Sequence, residues 1–394
     1  MSNPPPVLPS PASLLPDRLR PRLTPPARAV AWALVKHAGT RAFTAAGHLA
    51  WRARNPATRE SYVEAPAPGR IPEIWYTAED GWRAPLCRLA PRSGGAGEPV
   101  LLAHTLGAGS DGFRYGTGPT LAGALCDAGF TVFLLTHRGD RAALRPGGRC
   151  PTDFDAILER DVPAAIAAIC DDTGFSAVHW VGHGLGAQLG LAAAGARAPG
   201  IATVTALAGP VQFSAPRSDA RRAAWAAALL PVGWPVPVRW LARFAAPLLG
   251  DPDGLAPGPR LRGVATHASD DLAIGLVRQL SEWVGHGVWS SRGGVVDRKE
   301  TLRHAEVPLL ALCGDADRVC PAGAAEAATG SWGHPDRTFV LLPGYAHLDA
   351  LFSARAQRDV FAPVTDWLHA RRRLAWGAGF SALSAGVADR YSTR

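Results

Sequence analysis

Residues 181–190 read VGHGLGAQLG. They complete the apolar run AVHWVG and lead into AQLGLAAAG, so the pattern predicts a buried strand, a sharp turn and a helix. Gly182 and Gly186 flank this turn at the spacing of the Gly-x-Ser-x-Gly elbow, in which small residues let strand and helix approach closely. The central position holds Gly184, not serine. The segment indicates the type of fold but leaves the chemistry of the site open.

Strand-like and helix-like segments alternate on both sides of this turn. A hairpin is predicted around Asp80-Gly81, between residues 73–78 and 84–90. Further strands are predicted at 99–104, 131–137, 177–182, 201–209, 307–314 and 337–344. Helices are predicted at 118–129, 153–170, 186–196, 321–328 and near 356–372. This alternation predicts an α/β protein with a doubly wound, mostly parallel sheet.

The chain is long enough for one large domain with an insertion. Its 394 residues are 47% hydrophobic, which is typical of a globular protein. The rhythm of strands and helices breaks after the strand at 201–209, and a Trp-rich stretch without an evident strand follows. We divide the chain into a disordered Pro-rich N-terminus (1–26), an amphipathic helix with a linker (27–60), a core (61–212 and 301–372), a helical cap (213–300) and a C-terminal tail (373–394).

Charge and cysteine content limit the partners. The formal net charge is +8, but the chain has no run of five basic residues, so nucleic-acid binding is not expected. The helix predicted at 27–54 either packs on its own domain or lies on a membrane surface.

The six cysteines form no C-x-x-C pair, which favours buried free thiols and a reducing compartment. No secretory signal pattern begins the sequence, so we expect a cytoplasmic protein, possibly membrane-associated.

Two polar segments follow later strands and carry the candidate acid and base. Asp317 lies in CGDADRVCP after one predicted strand, with Asp315 as the alternative acid. His347 lies in LLPGYAHLD after the last predicted strand. Because the carboxyl ends of parallel strands meet at one edge of a sheet, both should lie beside the elbow. We expect Asp317 to hold one ring nitrogen of His347 and the other nitrogen to face the elbow.

In proteins that carry this type of elbow two backbone N–H groups form an oxyanion site, and the match of the elbow implies the same here. One should come from Leu185, the residue after the centre of the elbow. The other should come from Thr105 or Leu106, in the loop AHTLGAGSDG after the first parallel strand. Such donors stabilise the negative charge that develops on a carbonyl oxygen during acyl transfer.

Over about residues 72–372 the chain resembles the α/β-hydrolase superfamily, particularly its cap-bearing esterase and lipase-like branches. The resemblance rests on the segments AHTLGAGSDGF, CDAGFTVFLLTHRGD, VGHGLGAQLG, GDADRVCP and GYAHLDALF, in this order. It implies an active site under the cap and hydrolysis of ester or related acyl bonds without a cofactor. It also implies that the Trp-rich cap covers a small apolar or acyl-type ligand, unless its tryptophans only pack the cap helices.

Two departures from the family pattern leave the activity open. Gly184 stands where the family has its nucleophilic serine, and glycine has no group to acylate. Thr105 replaces a frequent glycine, and its β-branched side chain restricts the backbone there. Three interpretations remain: weak or water-based hydrolysis by His347 and Asp317, a non-catalytic ligand-binding protein, or an ordinary serine esterase carrying an engineered Ser-to-Gly substitution.

A relocated nucleophile is a variant of the first interpretation, and three residues are candidates: Thr105, Ser110 and Cys126. In the water-based form, the space of the missing hydroxymethyl group would hold the attacking water. No metal site is expected, because four histidines lack a ligand-like spacing: His104, His137, His183 and His347. His183, Asp349 and Asp161 are expected to have structural roles.

Overall fold

An eight-stranded sheet is the central element of the described residues, which in this computed structural model are 73–114, 119–144, 152–213, 270, 273–372 and 375. The predicted N-terminal segments, the helix at 27–54, most of the predicted cap and nearly all of the tail lie outside these residues. The sheet order is β1-β2-β4-β3-β5-β6-β7-β8. The strands are β1 Glu73–Thr77, β2 Arg83–Leu89, β3 Pro99–Ala103, β4 Thr131–Leu135, β5 Val178–His183, β6 Ile201–Leu207, β7 Leu309–Gly314 and β8 Arg337–Leu342.

Helices connect the strands and cover the sheet. They are α1 Leu121–Asp127, α2 Phe154–Ala156, α3 Val162–Thr173, α4 Leu185–Gly195, α5 Ile274–His286, α6 Arg298–Thr301, α7 Ala322–Ser331, α8 Asp349–Phe352 and α9 Ala362–His369. A π-helical turn, Ile157–Asp161, joins α2 to α3, and another, Gln357–Phe361, precedes α9. Gly174 ends α3 in the left-handed conformation that favours glycine.

The strand pairing confirms the predicted fold class. The pairs β1–β2 and β2–β4 are antiparallel, whereas β4, β3, β5, β6, β7 and β8 pair in parallel. Leu101 and Trp180 face one hydrophobic core, and Val100 and Val181 face the core on the other side of the sheet. The central strands are therefore buried on both faces, which explains their continuous apolar runs.

The described part of the predicted cap packs into the main core. Trp283 of α5 and Trp289 are each 1% exposed, and both rings contact Phe154 edge-on. The Trp283 indole also donates to the Ser290 carbonyl at 2.6 Å. These two tryptophans therefore stabilise the described core by packing. Trp225, Trp234 and Trp240, which also belong to the predicted cap, lie outside the described residues.

A buried arginine fixes the loop after β4. The Arg138 guanidinium donates to Asp161 Oδ1 at 2.7 and 2.9 Å and to both Asp80 carboxylate oxygens at 2.7 and 3.0 Å. The Arg138 backbone N–H also donates to Asp161 Oδ2 at 2.8 Å. Asp161, expected to be a structural acid, thus ties its helical segment to this loop. Within the described residues, no helix is long and apolar enough to cross a membrane.

Candidate active site

The turn between β5 and α4 has the geometry of a sharp elbow. β5 ends at His183, α4 begins at Leu185, and Gly184 between them has φ +54° and ψ −111°. This positive φ favours glycine. The Gly184 N–H donates to the Leu207 carbonyl at 2.8 Å, and its own carbonyl accepts the Gln188 N–H at 3.1 Å. The elbow is therefore held to the neighbouring strand and to the helix it starts.

Close approach of the backbone explains the flanking glycines. A Cβ at Gly182 would lie 2.2 Å from the Gly186 carbonyl oxygen, and a Cβ at Gly186 would lie 2.0 Å from the Ala103 carbonyl oxygen. Neither position has room for a side chain. The predicted strand–turn–helix arrangement thus depends on these two glycines.

His347 and Asp317 form a buried pair at the carboxyl end of the sheet. His347 Nδ1 lies 2.8 Å from Asp317 Oδ2, and the two residues are 5% and 6% exposed. The other carboxylate oxygen, Oδ1, accepts the N–H groups of Val319 and Cys320, both at 2.8 Å. The carboxylate is thereby held in one orientation and accepts the Nδ1 proton of His347, which leaves Nε2 as a proton acceptor.

Two neighbouring acids, Asp315 and Asp349, accept backbone hydrogen bonds in the loops. Asp315 Oδ1 accepts the Gly344 N–H at 2.7 Å, which ties the loop after β7 to the loop after β8. Asp349 Oδ2 accepts the Ala346 N–H at 2.8 Å and shapes the turn that carries His347. Of the two acids considered from the sequence, Asp317 is the one that contacts His347.

His183 packs against His347. Their ring centroids lie 4.6 Å apart, and His183 Nε2 donates to the His347 carbonyl at 3.0 Å. Burial, followed by the nearby His347, lowers the pKa of His183 to about 3. His183 therefore stays neutral and positions its neighbour, as the sequence interpretation expected.

The Thr105 hydroxyl fills the space above Gly184. A Cβ built on Gly184 would lie 2.1 Å from Thr105 Oγ1, 2.9 Å from Thr105 Cβ and 3.3 Å from His347 Nε2. Thr105 therefore occupies this point, while the water-based form of the hydrolysis stays a prediction. Thr105 follows β3 and was singled out from the sequence, but its overlap with position 184 depends on contacts across the sheet.

The predicted oxyanion donors border this point. Leu185 is the first residue of α4, whose first-turn N–H groups have no partner within the helix. The Thr105 carbonyl accepts the Ala108 N–H at 3.1 Å, which fixes the turn after β3. Leu106 is 37% exposed beside it. The oxyanion role of these residues stays a prediction.

Two other candidate nucleophiles lie elsewhere. Ser110 begins the short 3₁₀ turn Ser110–Phe113. Cys126 lies in α1 with its Sγ 4.0 Å from the Leu89 carbonyl, and burial raises its pKa to about 11. In the described part of the chain, neither side chain contacts His347, so Thr105 is the candidate that the fold brings to the elbow.

A buried histidine–aspartate cluster, not anticipated from the sequence, lies behind Thr105. His104 Nδ1 is 3.1 Å from the Thr105 carbonyl oxygen, and its Nε2 is 3.0 Å from Asp140 Oδ2. Both ring nitrogens thus face acceptors, as an imidazolium requires. Burial opposes this charge, but Asp140 raises the pKa of His104 above its usual 6.5. The His137 ring stacks on His104 at 4.5 Å, and burial lowers its pKa.

Two groups of described residues bring three potential metal-ligand atoms within 4.8 Å of one another: His104, His137 and Asp140, and Cys313, Asp317 and Cys320. In the first, Asp140 already accepts from His104 and from the His137 backbone N–H. In the second, Asp317 already accepts three hydrogen bonds. These contacts give both acids hydrogen-bonding roles.

The buried His104–Asp140 pair predicts a pH-dependent contribution to stability. Because the pKa of His104 is raised in the folded protein, the charged ring contributes to the free energy of unfolding. This contribution is complete below pH 6.5 and is lost as the pH rises through the pKa of His104 in the folded protein. Burial raises the pKa of Asp140, but His137 and His104 outweigh this and hold it below 3.8. The stabilisation by the Asp140 carboxylate is therefore complete above pH 3.8 and is lost as the pH falls through its pKa in the folded protein. The pair therefore stabilises most between these two pH values.

We expect His104→Gln to lower the free energy of unfolding more at about pH 5 than at about pH 9. Urea unfolding of both proteins at each pH measures this difference. Equal destabilisation at the two pH values would show that His104 is uncharged in the folded protein.

The parallel sheet, the elbow and the His347–Asp317 pair at its carboxyl edge define an α/β-hydrolase. Residues 100–349 match the family described as serine aminopeptidase, S33, and the chain belongs to this family. It is 31% identical over 135 residues to human lipase member N, but this match spans 31% of this chain and only 34% of that protein.

Solved structures share the fold. The monoacylglycerol lipase of Paleococcus ferrophilus is 20% identical, with a TM-score of 0.53, and the match covers 73% of this chain and 99% of that one. A thermophilic esterase from Thermogutta terrifontis is 19% identical, with a TM-score of 0.54 and coverage of 76% and 99%. At these identities the likeness shows the fold alone.

Proposed function

We propose that this protein hydrolyses carboxylic esters, with His347 and Asp317 as the acid–base pair and a nucleophile other than serine at position 184. The observation that carries this proposal is the anchored His347 ring. Its Nδ1 is held by Asp317 at 2.8 Å, and its Nε2 lies 3.3 Å from the point above Gly184 where a side chain would begin. Nε2 is thus placed to take a proton from an attacking hydroxyl.

Gly184, in this proposal, occupies the position at which the family carries its nucleophile. Its location between β5 and α4 and its positive φ support this assignment. Because glycine offers no oxygen or sulfur, an acyl group cannot be carried at this residue. The chemistry must use a hydroxyl from elsewhere in the site.

In this reaction the acid–base pair would transfer protons, and the start of α4 would stabilise negative charge. His347 accepts the proton of the attacking hydroxyl and returns it to the departing alcohol, while Asp317 stabilises the imidazolium formed between these steps. The Leu185 N–H, at the positive end of the helix dipole, would stabilise charge on the carbonyl oxygen.

Ester substrates with an apolar acyl group are the class we favour. The names of three similar proteins (a lipase, a monoacylglycerol lipase and an esterase) point to this chemistry. Apolar side chains also border the elbow: Leu106 is partly exposed there, and Leu185 and Leu276 line a small adjacent cavity. The family name leaves amide hydrolysis as a second possibility.

The proposal is tested with p-nitrophenyl acetate, butyrate, octanoate and palmitate and with alanine p-nitroanilide. We expect hydrolysis above buffer for at least one ester and none for the anilide. Absence of ester hydrolysis, combined with binding of butyrate or octanoate measured by calorimetry, would instead support the ligand-binding interpretation. That alternative is favoured by one observation, the lack of a reactive side chain at Gly184.

A further inference from the structure

We propose that the Thr105 hydroxyl is the nucleophile of this site and forms an acyl-threonine intermediate with a carboxylic ester. This inference rests on the proposed ester hydrolysis and names the group that attacks. It assigns Thr105 a covalent role in addition to the oxyanion role expected from the sequence.

The position of the hydroxyl is the first argument. Thr105 Oγ1 lies 2.1 Å from the point where a Cβ at Gly184 would be, and that same point lies 3.3 Å from His347 Nε2. The threonine therefore brings an oxygen to the place beside the base that a side chain from the elbow would otherwise fill. The two residues are complementary, since a larger residue at 184 would collide with Thr105.

The lack of competing contacts is the second argument. Within the described part of the chain, neither Thr105 Oγ1 nor His347 Nε2 has a hydrogen-bond partner. The Thr105 hydroxyl and His347 Nε2 thus both lie beside the Cβ position of residue 184, and both are available for a hydrogen bond. The two atoms make no hydrogen bond with each other in this structure, and the proposal requires one to form when an ester binds, as is common for catalytic groups without substrate.

The fixed backbone of Thr105 is the third argument. Its carbonyl accepts two hydrogen bonds at 3.1 Å, one from the Ala108 N–H and one from His104 Nδ1. His104 is itself held by Asp140 at 3.0 Å. The β-branched side chain has few χ1 rotamers, so a fixed backbone also restricts where its hydroxyl can point. His104 is therefore a positioning residue for Thr105.

The proposed reaction balances in two steps. Thr105 Oγ1 bonds to the ester carbonyl carbon while its proton passes to His347 Nε2, and the carbonyl–alkoxide bond breaks as His347 protonates the leaving alcohol. Water then attacks the acyl-threonine, gives its proton to Nε2, and the carboxylic acid leaves as Thr105 Oγ1 regains the proton. No oxidant or metal enters either step.

Covalent trapping tests this assignment. The full chain is treated with diethyl p-nitrophenyl phosphate, digested and analysed by mass spectrometry. We expect one diethylphosphoryl group on the peptide that contains Thr105, formed with release of p-nitrophenol. The label should be absent from Thr105→Val, which keeps the shape of the side chain but removes the hydroxyl, and from His347→Ala.

Ester turnover of matched variants separates this inference from the proposed function. We expect Thr105→Val to fall to the rate of His347→Ala, whereas Thr105→Ser and the control Ser110→Ala keep turnover within about tenfold of the parent. If Thr105→Val retains His347-dependent turnover, the nucleophile is not Thr105, although the ester hydrolase stands. If the parent shows no His347-dependent turnover, both fail. Turnover lost without any label on Thr105 would mean that the hydroxyl orients a water, which also overturns the inference.

Substitutions that move the hydroxyl from residue 105 to residue 184 provide an independent test. We expect Gly184→Ser alone to gain no serine-dependent turnover, because its Cβ would meet Thr105 Oγ1 at 2.1 Å. Gly184→Ser combined with Thr105→Gly removes this clash and should move the diethylphosphoryl label to the peptide that contains residue 184. A label on residue 184 in the single variant would show that Thr105 does not fill the site as described.

Discussion

Asp317→Asn is expected to lower kcat by on the order of 10⁴-fold while changing KM little. The reason is the fixed orientation of this side chain. Asp317 Oδ1 accepts two backbone N–H groups, so the oxygen of an asparagine would stay on that side. Its amide NH₂ would then face His347 Nδ1 and donate to it. Nδ1 would become an acceptor and Nε2 would carry the proton, so Nε2 could not accept one from the nucleophile.

The neighbouring acid provides a matched control. Asp315 is in the same loop, but its carboxylate accepts from the Gly344 N–H and does not contact His347. Asp315→Asn should therefore keep kcat within about tenfold of the parent. Steady-state ester hydrolysis of both variants, with thermal unfolding to verify folding, makes the comparison. A similar loss in both variants would contradict a specific role for Asp317.

Arg138→Met is expected to lower the free energy of unfolding by about 3–5 kcal/mol. The Arg138 and Asp161 side chains are both 0% exposed and lie 2.7 Å apart. Removing the guanidinium leaves the Asp161 carboxylate buried without its cation and also releases Asp80 from the loop. Urea unfolding at neutral pH measures the loss.

Arg160→Met is the control for this prediction. Arg160 also contacts Asp80, at 2.7 Å, but its side chain is 30% exposed. Pairs with this access to solvent contribute at most about 1 kcal/mol, so the variant should be nearly as stable as the parent. Equal losses in the two variants would show that charge at Asp80, and not burial at Asp161, determines stability here.

The sheet could be predicted because its signal is local. Apolar runs such as PVLLA and TVFLL are buried on both faces, and the turns between them carry glycine or proline. The elbow was predictable for the same reason, since strand, glycines and helix lie within one short segment. The limits of the predicted strands and helices differ by a few residues at their ends, whereas α8 and the two π-helical turns were not predicted.

The His347–Asp317 contact was predicted from the order of segments along the chain. Parallel strands bring their carboxyl ends to one edge, so two polar segments after β7 and β8 were expected to meet. The choice of Asp317 over Asp315, made from the sequence, agrees with the structure. It depends on which carboxylate the loop turns toward the ring, and backbone N–H groups of Val319 and Cys320 decide this.

Other features could not be predicted because they depend on contacts between distant segments. The overlap of Thr105 with position 184 joins the end of β3 to the end of β5. The His104–Asp140 pair joins the ends of β3 and β4, and Arg138 joins three separate segments. In each case the residue types were visible in the sequence, but their partners were not.

The most direct test of the account is the kcat/KM of the full chain for p-nitrophenyl butyrate, compared with that of His347→Ala and of His304→Ala. His304 is exposed and precedes β7, at the opposite end of the sheet from His347. We predict that His347→Ala loses activity by at least about 10³-fold, to the rate in buffer, while His304→Ala matches the parent. Equal rates for the parent and His347→Ala would contradict the claim that this histidine drives ester hydrolysis without a serine.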